Sequence, residues 1–557
     1  MSRGKHDGHS HHDDNHHDGF RFSFNHDHDF FGLGWLYGGD HNHQDHHGHH
    51  HHGQDVHIAV QDDQWVLTNG HHTQVISGDS VELHGKTYQL VDHFDGGHQT
   101  IQDAVDAAQN GEIVLIADGT YAEQVTVDHT DLTIQGLDDG VHVIAPDSLE
   151  ANIVDPAWSR PGKNAIIGVD GGDVTIKHLS IDGLGQGNDL SNDHGAPDYE
   201  GIYYLNASGK IDDVSVTGIR QPLHLDGSLS GSQLGNGILI SNQDGIARTV
   251  EVHDSTVTDF QKTGMVFDGA GLTVDVDGNT VIGGGLQPLG SPAQNGIQVS
   301  RDATGIVEHN TVSDLGYGPD DWSASGILVY GSDNVAVDHN HVTMTGDSMD
   351  AAIAFVDADN PEASHNDVTA TFGIYQAAAY DSFSNELNQS HNTFHDTSVA
   401  VGFYAVGYVG YGAPEVTQSF DFTGSNGNDE IWGANGSDVL NGGRGDDSLR
   451  GDSSSFDGYG PGFFGTQTGD DTFMFDKHSG MDTILDYGQT LGNRDVMDVS
   501  AYHFHDFADL QPHISNGVDG AVVALSAHDS ITLVGVDAND LTQDDFIFNQ
   551  HGHHFMV

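Results

Sequence analysis

The chain has 557 residues, with 16 basic against 84 acidic side chains and a formal net charge of −68. That length exceeds what one compact core serves, so several domains are expected, and the charge excludes electrostatic capture of nucleic acid or an anionic membrane while suiting multivalent cations. Cysteine is absent, which excludes disulfides and thiol chemistry, and no apolar run reaches the roughly 18 residues a membrane-spanning helix needs.

Residues 1–56 are rich in His, Asp and Gly, as in HDGHSHHDDNHHDG and DHNHQDHHGHHHHGQD. Such a composition builds no core and predicts a disordered tail. Its imidazoles would hold Zn²⁺, Ni²⁺ or Cu²⁺ loosely, because nothing fixes a ligand geometry. The apolar stretch FFGLGWLYGG, from Phe30 to Gly39, interrupts the tail and offers a docking patch. The first residues carry no apolar core of a Sec signal peptide, so another export route is expected.

Residues 57–95 alternate in the manner of strands, with Asn69-Gly70 and His84-Gly85 as turns, and predict a small β cap. Thr100 then reads as an N-cap. Ile101, Val105 and Ala108 form one apolar face of a short helix predicted to stop at Gly111. Strand runs follow: EIVLIADGTYAEQVTV, DLTIQGL and VHVIA.

From about 165 to 410, short strands recur at the interval of a coil, among them NGILIS, TGMVFDG, NGIQVS and SGILVYG. The phrase N-x-V/F returns at Asn279, Asn310, Asn340, Asn366 and Asn392, and His precedes the last four. Repetition on this period implies stacked coils. It predicts a ladder of side-chain amides, each bonded to the backbone of the next coil, and so a structural role for the His-Asn pairs. The body, 96–415, is read as a parallel β-helix.

Three nine-residue units, GSNGNDEIW, GANGSDVLN and GGRGDDSLR, then run in register from Gly424. Gly427, Gly436 and Gly445 hold the fourth position, Asp429, Asp438 and Asp447 the sixth, and Ile431, Leu440 and Leu449 the eighth. The Gly-rich half of each unit makes a turn whose carbonyls and carboxylates suit Ca²⁺, which takes six to eight oxygen ligands. The aliphatic residue points from a short strand into a thin core. A generic Asp/Gly linker would not keep three units in phase. The segment TQTGDDTF adds a further half-turn with Asp471.

These repeats resemble the RTX (haemolysin-type) calcium-binding β-roll. The short helix followed by IVLIADGTYAE and LTIQG resembles the opening of a pectin-lyase-like right-handed parallel β-helix, with the helix covering the open end of the stack. Pectin methylesterases open in a similar way. The phrases DTILDY, DVMDVS and SITLVGV resemble the C-terminal cap shared by serralysin-type proteases and other RTX exoproteins. No H-E-x-x-H helix is present, so protease activity is not carried over. The fold class is all-β: a parallel β-helix followed by a calcium-binding parallel β-roll at 421–475 and a cap with a secretion signal at 476–557. The resemblance implies Ca²⁺ as cofactor and type I secretion machinery as partner, reading an uncleaved C-terminus that ends HHFMV. The location so implied is extracellular or at the surface of a Gram-negative cell.

A β-helix followed by RTX repeats is also the layout of secreted mannuronan C5-epimerases and of some secreted polysaccharide lyases, which implies an extracellular polysaccharide, a polyuronate first, as substrate. Both reactions neutralise a uronate carboxylate, remove the proton α to it and protonate either the opposite face or the leaving oxygen. The Asp-Pro-His-Glu motif of the epimerases is absent. In its place GIRQPLHLDG (218–227) is expected to be a strand with Leu223 and Leu225 inward and His224 and Asp226 outward. Arg220 would then meet the carboxylate, His224 or Tyr203 would exchange protons and Asp226 would orient the imidazole. The loop before it supplies His194, Asp198, Tyr199 and Tyr204. Asp268, in the parallel phrase TGMVFDG, reads as a turn residue. Tyr317, Asp320, Asp321 and Trp322 form a second cluster suited to a glycoside hydrolase with two carboxylates. The scarcity of Lys and Arg counts against a polyanionic substrate. The competing expectation is a non-catalytic surface, matrix or adhesin protein with a β-helix rod.

Overall fold

Valine, isoleucine and threonine dominate the short runs of the body, and in the computed structural model these runs stack as parallel strands. The structure describes residues 56–94, 96–154, 162–187, 198–319, 323–346, 350–377, 387–404, 419–433, 436–452, 469–490 and 493–549. The predicted tail, His194, Asp320, Asp321 and Trp322 lie outside those residues.

A representative coil has three limbs: Leu272–Asp277, Thr280–Gln287 and Asn295–Ser300. First and second limbs of successive coils pair within one sheet of 20 strands, and third limbs pair within another of 16. Register repeats from coil to coil, so like positions fall into columns. Val252, Val276, Val307 and Val337 make one column, paired in turn and each fully buried. Each such side chain contributes roughly 1.5–3 kcal/mol by leaving water.

The corner between first and second limbs carries the predicted asparagine ladder. The Oδ1 atoms of Asn310, Asn340, Asn366 and Asn392 accept from the backbone amides of Asn279, Asn310, Asn340 and Asn366 at 2.9–3.0 Å. Each Nδ2 donates to a carbonyl of the coil before, as Asn310 does to Val276 (2.8 Å) and Asn340 to Val307 (2.8 Å). The ladder satisfies backbone groups that a tight corner strips of partners.

Strands His57–Gln61, Gln64–Thr68 and Thr73–Val75 form a small antiparallel sheet. The hairpin Ser80–Leu83 and Lys86–Val91 follows, and its second strand pairs in parallel with Glu112–Ile116 to start the stack. Between them lies the helix Ile101–Ala107. Thr100 caps it by accepting from the Asp103 amide (3.0 Å), and Ile101, Ala104 and Val105 are buried. The helix ends before Ala108, short of the expected Gly111, because Ala108 already turns to extended backbone at φ −69 and ψ 147.

The third-limb sheet does not stop where the coils change size. Val399–Tyr404 pairs in parallel with Glu430–Trp432, which pairs with Ser448–Arg450, and the sheet runs on through Met481–Ile484 to Ser530–Val534. Strands Asp421–Ser425, Val439–Gly443, Thr472–Met474 and Val496–Asp498 form the opposite wall of the roll. Phe403 of the last large coil meets Phe422 of the roll at 5.0 Å between ring centroids, so one core spans both parts. At the far end Gly520–Ala524 pairs antiparallel with Ser530–Val534 and covers an edge that would otherwise template further strands.

Candidate functional site

In the roll, successive nine-residue units fall alternately on the two walls, so residues 18 apart become neighbours. The amide of Asp429 donates to Asp447 Oδ1 (2.9 Å), and the amide of Asp447 to Asp482 Oδ1 (3.1 Å). On the other wall Asp438 donates to Asp471 Oδ1 (2.8 Å), and Asp471 to Asp495 Oδ1 (3.1 Å). Asp429 and Asp447 are 18 residues apart, whereas Asp438 and Asp471 are 33 apart yet occupy adjacent rungs.

Each aspartate thus spends one oxygen on the ladder and turns the other toward the glycine turns. The Oδ2 atoms of Asp447, Asp471 and Asp482 are buried without a hydrogen-bond partner. A Cβ at Gly424, Gly433, Gly442 or Gly451 would collide with Oδ2 of Asp429, Asp438, Asp447 or Asp471. A Cβ at Gly445, Gly469 or Gly480 would likewise collide with the carbonyl oxygen of Gly427, Gly436 or Gly445 on the rung before. Burial pushes the carboxyls of Asp429, Asp447 and Asp482 up to about 7 and that of Asp471 to about 9. Orphaned carboxylate oxygens beside glycine turns in a dry interior are the donor set of a hard cation, and they fit Ca²⁺.

The residues expected to form a catalytic cluster do not share one strand. Residues 221–224 belong to a loop, with Leu223 and Leu225 at 42% and 110% relative exposure, so neither points inward. Alternating Leu and polar residues imitated a strand there, but Pro222 and Gly227 favour a turn. The tip is a tight turn in which the His224 amide donates to Ser228 O (2.9 Å). Asp226 accepts from the Ser228 amide (3.0 Å) and hydroxyl (2.7 Å), which hold its carboxyl below the usual range and engage it in the turn. Arg220 pairs with Asp259 (2.5 Å). Tyr203 is fully buried beneath Lys163, whose Nζ lies 5.7 Å from its ring centroid. Tyr199 and Tyr204 are buried, donating to the carbonyls of Gly183 and Val174. Tyr317 is also buried, at 3% exposure.

The outer face of the third-limb sheet carries charges that the sequence reading passed over. Lys163 and Glu200 form an ion pair (3.3 Å) with side-chain exposures of 5% and 0%, and Asn236 donates to the other Glu200 oxygen (3.0 Å). Asp268 is a strand residue rather than a turn residue, 1% exposed, and is gripped by Nε and Nη2 of Arg301. Gln243 donates to the same carboxylate (3.1 Å), while the Arg301 side chain remains 52% exposed. Lys262 is largely buried with Nζ donating to the Ala293 carbonyl, and burial pushes its ammonium down to about 8. Its own amide donates to Gly235 (2.8 Å), which ends the loop carrying Arg220 and His224. The available signal was rarity: these are three of only 16 basic residues, and each stands at an end of a third-limb strand.

Comparison with known proteins agrees with the architecture. Residues 236–420 match the family described as the right handed beta helix region, and residues 422–454 match the RTX calcium-binding nonapeptide repeat. No curated protein matches the sequence. Among solved structures, the Agl-KA catalytic domain is 13% identical with a TM-score of 0.40, covering 71% of this chain, which spans 64% of that one. A polygalacturonase from Erwinia carotovora ssp. carotovora is 12% identical, TM-score 0.35, with coverage of 73% and 93%. The catalytic unit of a GH87 alpha-1,3-glucanase from Streptomyces thermodiastaticus is 14% identical, TM-score 0.36, with coverage of 80% and 66%. The chain is thus an all-β protein with a right-handed parallel β-helix and RTX repeats, and those repeats imply calcium binding. Among the described residues no helix is long and apolar enough to cross a membrane.

Proposed function

We propose that this is a secreted, calcium-dependent protein whose β-helix acts on an extracellular polysaccharide, as a polyuronate lyase or C5-epimerase. The observation that carries the reading is the half-exposed Arg301 guanidinium, clamped to buried Asp268 on the outer face of the third-limb sheet, a cation that a uronate carboxylate can meet. The Arg301 guanidinium neutralises the carboxylate of a bound uronate, which makes the C5 proton acidic enough for a general base at the same end of the sheet to remove, a contribution of roughly 10²–10⁴-fold in rate. Return of a proton to the opposite face of C5 inverts the centre. Protonation of the C4 oxygen instead breaks the C4–O bond and leaves a C4–C5 double bond.

In this reading Arg220, His224 and Asp226 line the loop beside that face and contact the sugar chain. Tyr203 positions Lys163 from beneath. Asp429, Asp438, Asp447 and Asp471, with the carbonyls of Gly427, Gly436 and Gly445, hold Ca²⁺ between rungs. The C-terminal segment directs type I secretion. The organisation is a cap at 57–95, the β-helix at 96–415, the roll at 421–475 and the C-terminal cap at 476–557, the middle two joined through their shared sheet.

The test is purified protein with millimolar Ca²⁺ on alginate, polygalacturonate and neutral glycans. It reads unsaturated ends by absorbance, reducing ends, and uronate epimer ratio by proton NMR. Arg301→Gln, paired with Asp268→Asn so that no buried charge is left alone, should abolish the signal while leaving the fold intact. Full activity in that variant would refute the assignment of Arg301 to the substrate carboxylate. Silence of the wild type on every substrate would move the reading to a non-catalytic matrix or adhesin rod.

A further inference from the structure

The corner that carries the asparagine ladder has a second feature on its outer side. The residue before each ladder asparagine is Gly278, His309, His339, His365 and His391 in successive coils, with φ of 70, 52, 53, 55 and 57. Left-handed backbone favours Gly, as the first of these positions has, or Asn. Four consecutive histidines stand there against that preference. Their rings stack with centroids 5.2, 4.5 and 4.9 Å apart and interplanar angles of 21, 10 and 4°. The spacing is that of neighbouring strands, so the column follows from the coil repeat itself.

A column of carboxylates runs beside the imidazoles. Asp277, Glu308 and Asp338 are register partners in adjacent coils. Asp338 sits between two rings, with Oδ2 2.8 Å from His339 Nδ1 and Oδ1 3.2 Å from His365 Nδ1. His309 Nδ1 lies 3.1 Å from Asp277 and 3.9 Å from Glu308. In each trio, one donor atom of every residue lies within 4.8 Å of the other two. The adjoining limb repeats the arrangement, with Asp367 between His341 (3.1 Å) and His395 (2.8 Å).

We propose that this stack is a linear array of Zn²⁺-class transition-metal sites, with Asp338, His339 and His365 as the best-formed one. A tetrahedral ion about 2.0–2.2 Å from imidazole nitrogens and carboxylate oxygens places its ligands roughly 3.3 Å from one another. The Asp338 trio already stands close to that spacing. Three protein ligands leave a fourth position for water or a ligand. Imidazole donors discriminate against Ca²⁺, which takes oxygen, so stack and roll draw on different ions. The carboxylates also hold the rings in place, which spares an incoming ion much of the ordering cost.

Crystals of the full chain grown in saturating Ca²⁺ and soaked in ZnCl₂ test this, with diffraction collected on both sides of the zinc absorption edge. An anomalous peak is expected in contact with Nδ1 of His339 and His365 and a carboxylate oxygen of Asp338. No peak there, including zinc confined to the first 56 residues or the roll, overturns the proposal. In solution, His339→Gly with His365→Gly suits the left-handed backbone, as Gly278 does two coils before His339, and should fold. Zn²⁺ should raise the melting temperature of the wild type and raise that of the double variant markedly less, because only the outlying sites of the array remain. His365→Gly alone should weaken the zinc-dependent shift roughly tenfold or more in apparent affinity. Equal shifts in wild type and double variant would also overturn it.

Discussion

Asn340→Ala removes one rung from the middle of the amide ladder. Asn340 is 1% exposed, and its Oδ1 accepts from both the backbone amide and the Nδ2 of Asn310, each at 3.0 Å. Its Nδ2 donates to the Val307 carbonyl at 2.8 Å. Asn310 Nδ2 keeps its bond to Val276 (2.8 Å), so the groups stranded by the change are the Asn310 amide and the Val307 carbonyl. A buried group left without its partner costs about 1–3 kcal/mol, and two of them, with the cavity, amount to about 3–5 kcal/mol. The effect should be local, because each coil leans on its neighbours. Native-state hydrogen exchange in saturating Ca²⁺ measures it directly. The Asn310 amide should exchange ~10²-fold faster or more, since each 1.4 kcal/mol is tenfold, while His341→Ala, exposed on the same corner, leaves it unchanged. An Asn310 amide as protected in the variant as in the wild type would refute the ladder as a source of stability.

Three further outcomes follow from the roll and its junction. The buried carboxyls of Asp429, Asp447 and Asp482 have folded values near 7, above their unfolded values near 4, so the calcium-free roll is most stable in acid. That stability is fully present below about pH 4 and is lost as pH rises through about 7, on the order of 4 kcal/mol for each carboxylate raised by about three units. Circular dichroism of calcium-stripped protein should show the roll folded at pH 4.5 and unfolded at pH 7.5; an equal calcium requirement at both would contradict it. Asp438→Asn keeps an oxygen to accept the Phe420 amide (2.7 Å) but loses the charge, so calcium titrations should become less cooperative. Phe422→Ala opens the core shared across the junction and should cost about 3–5 kcal/mol, read as calcium-saturated roll strands melting apart from the β-helix.

Much of the scaffold was legible because its signals are periodic. The Asn phrases marked the corner of each coil, and Gly, Asp and aliphatic residues at fixed places in nine marked the roll. Thr100 announced its helix through a local bond. Periodicity failed where the chain leaves the coil. Leu223 and Leu225 alternate like strand residues, yet no neighbouring strand receives them, and proline and glycine govern the backbone instead. The outer-face charges were hidden for the opposite reason. Lys163 and Glu200 are 37 residues apart and Asp268 and Arg301 33 apart, so only register brings each pair together. The histidine stack was visible as residues but not as a stack, because nothing in one sequence says that four successive coils share a left-handed torsion.

The unequal chain lengths between rungs carry a practical meaning. Successive asparagines of the ladder are 31, 30, 26 and 26 residues apart, and the aspartates of the roll 18, 24, 33 or 35, yet every rung bonds the next with the same geometry. The stack therefore measures position by rung and ignores how much polypeptide is spooled out at its corners. Exposed turns such as 222–228 are natural splice points, where a reporter or foreign binding module could be inserted without disturbing the rungs on either side. Natural variants of this chain should differ most in length at those same corners and least between them.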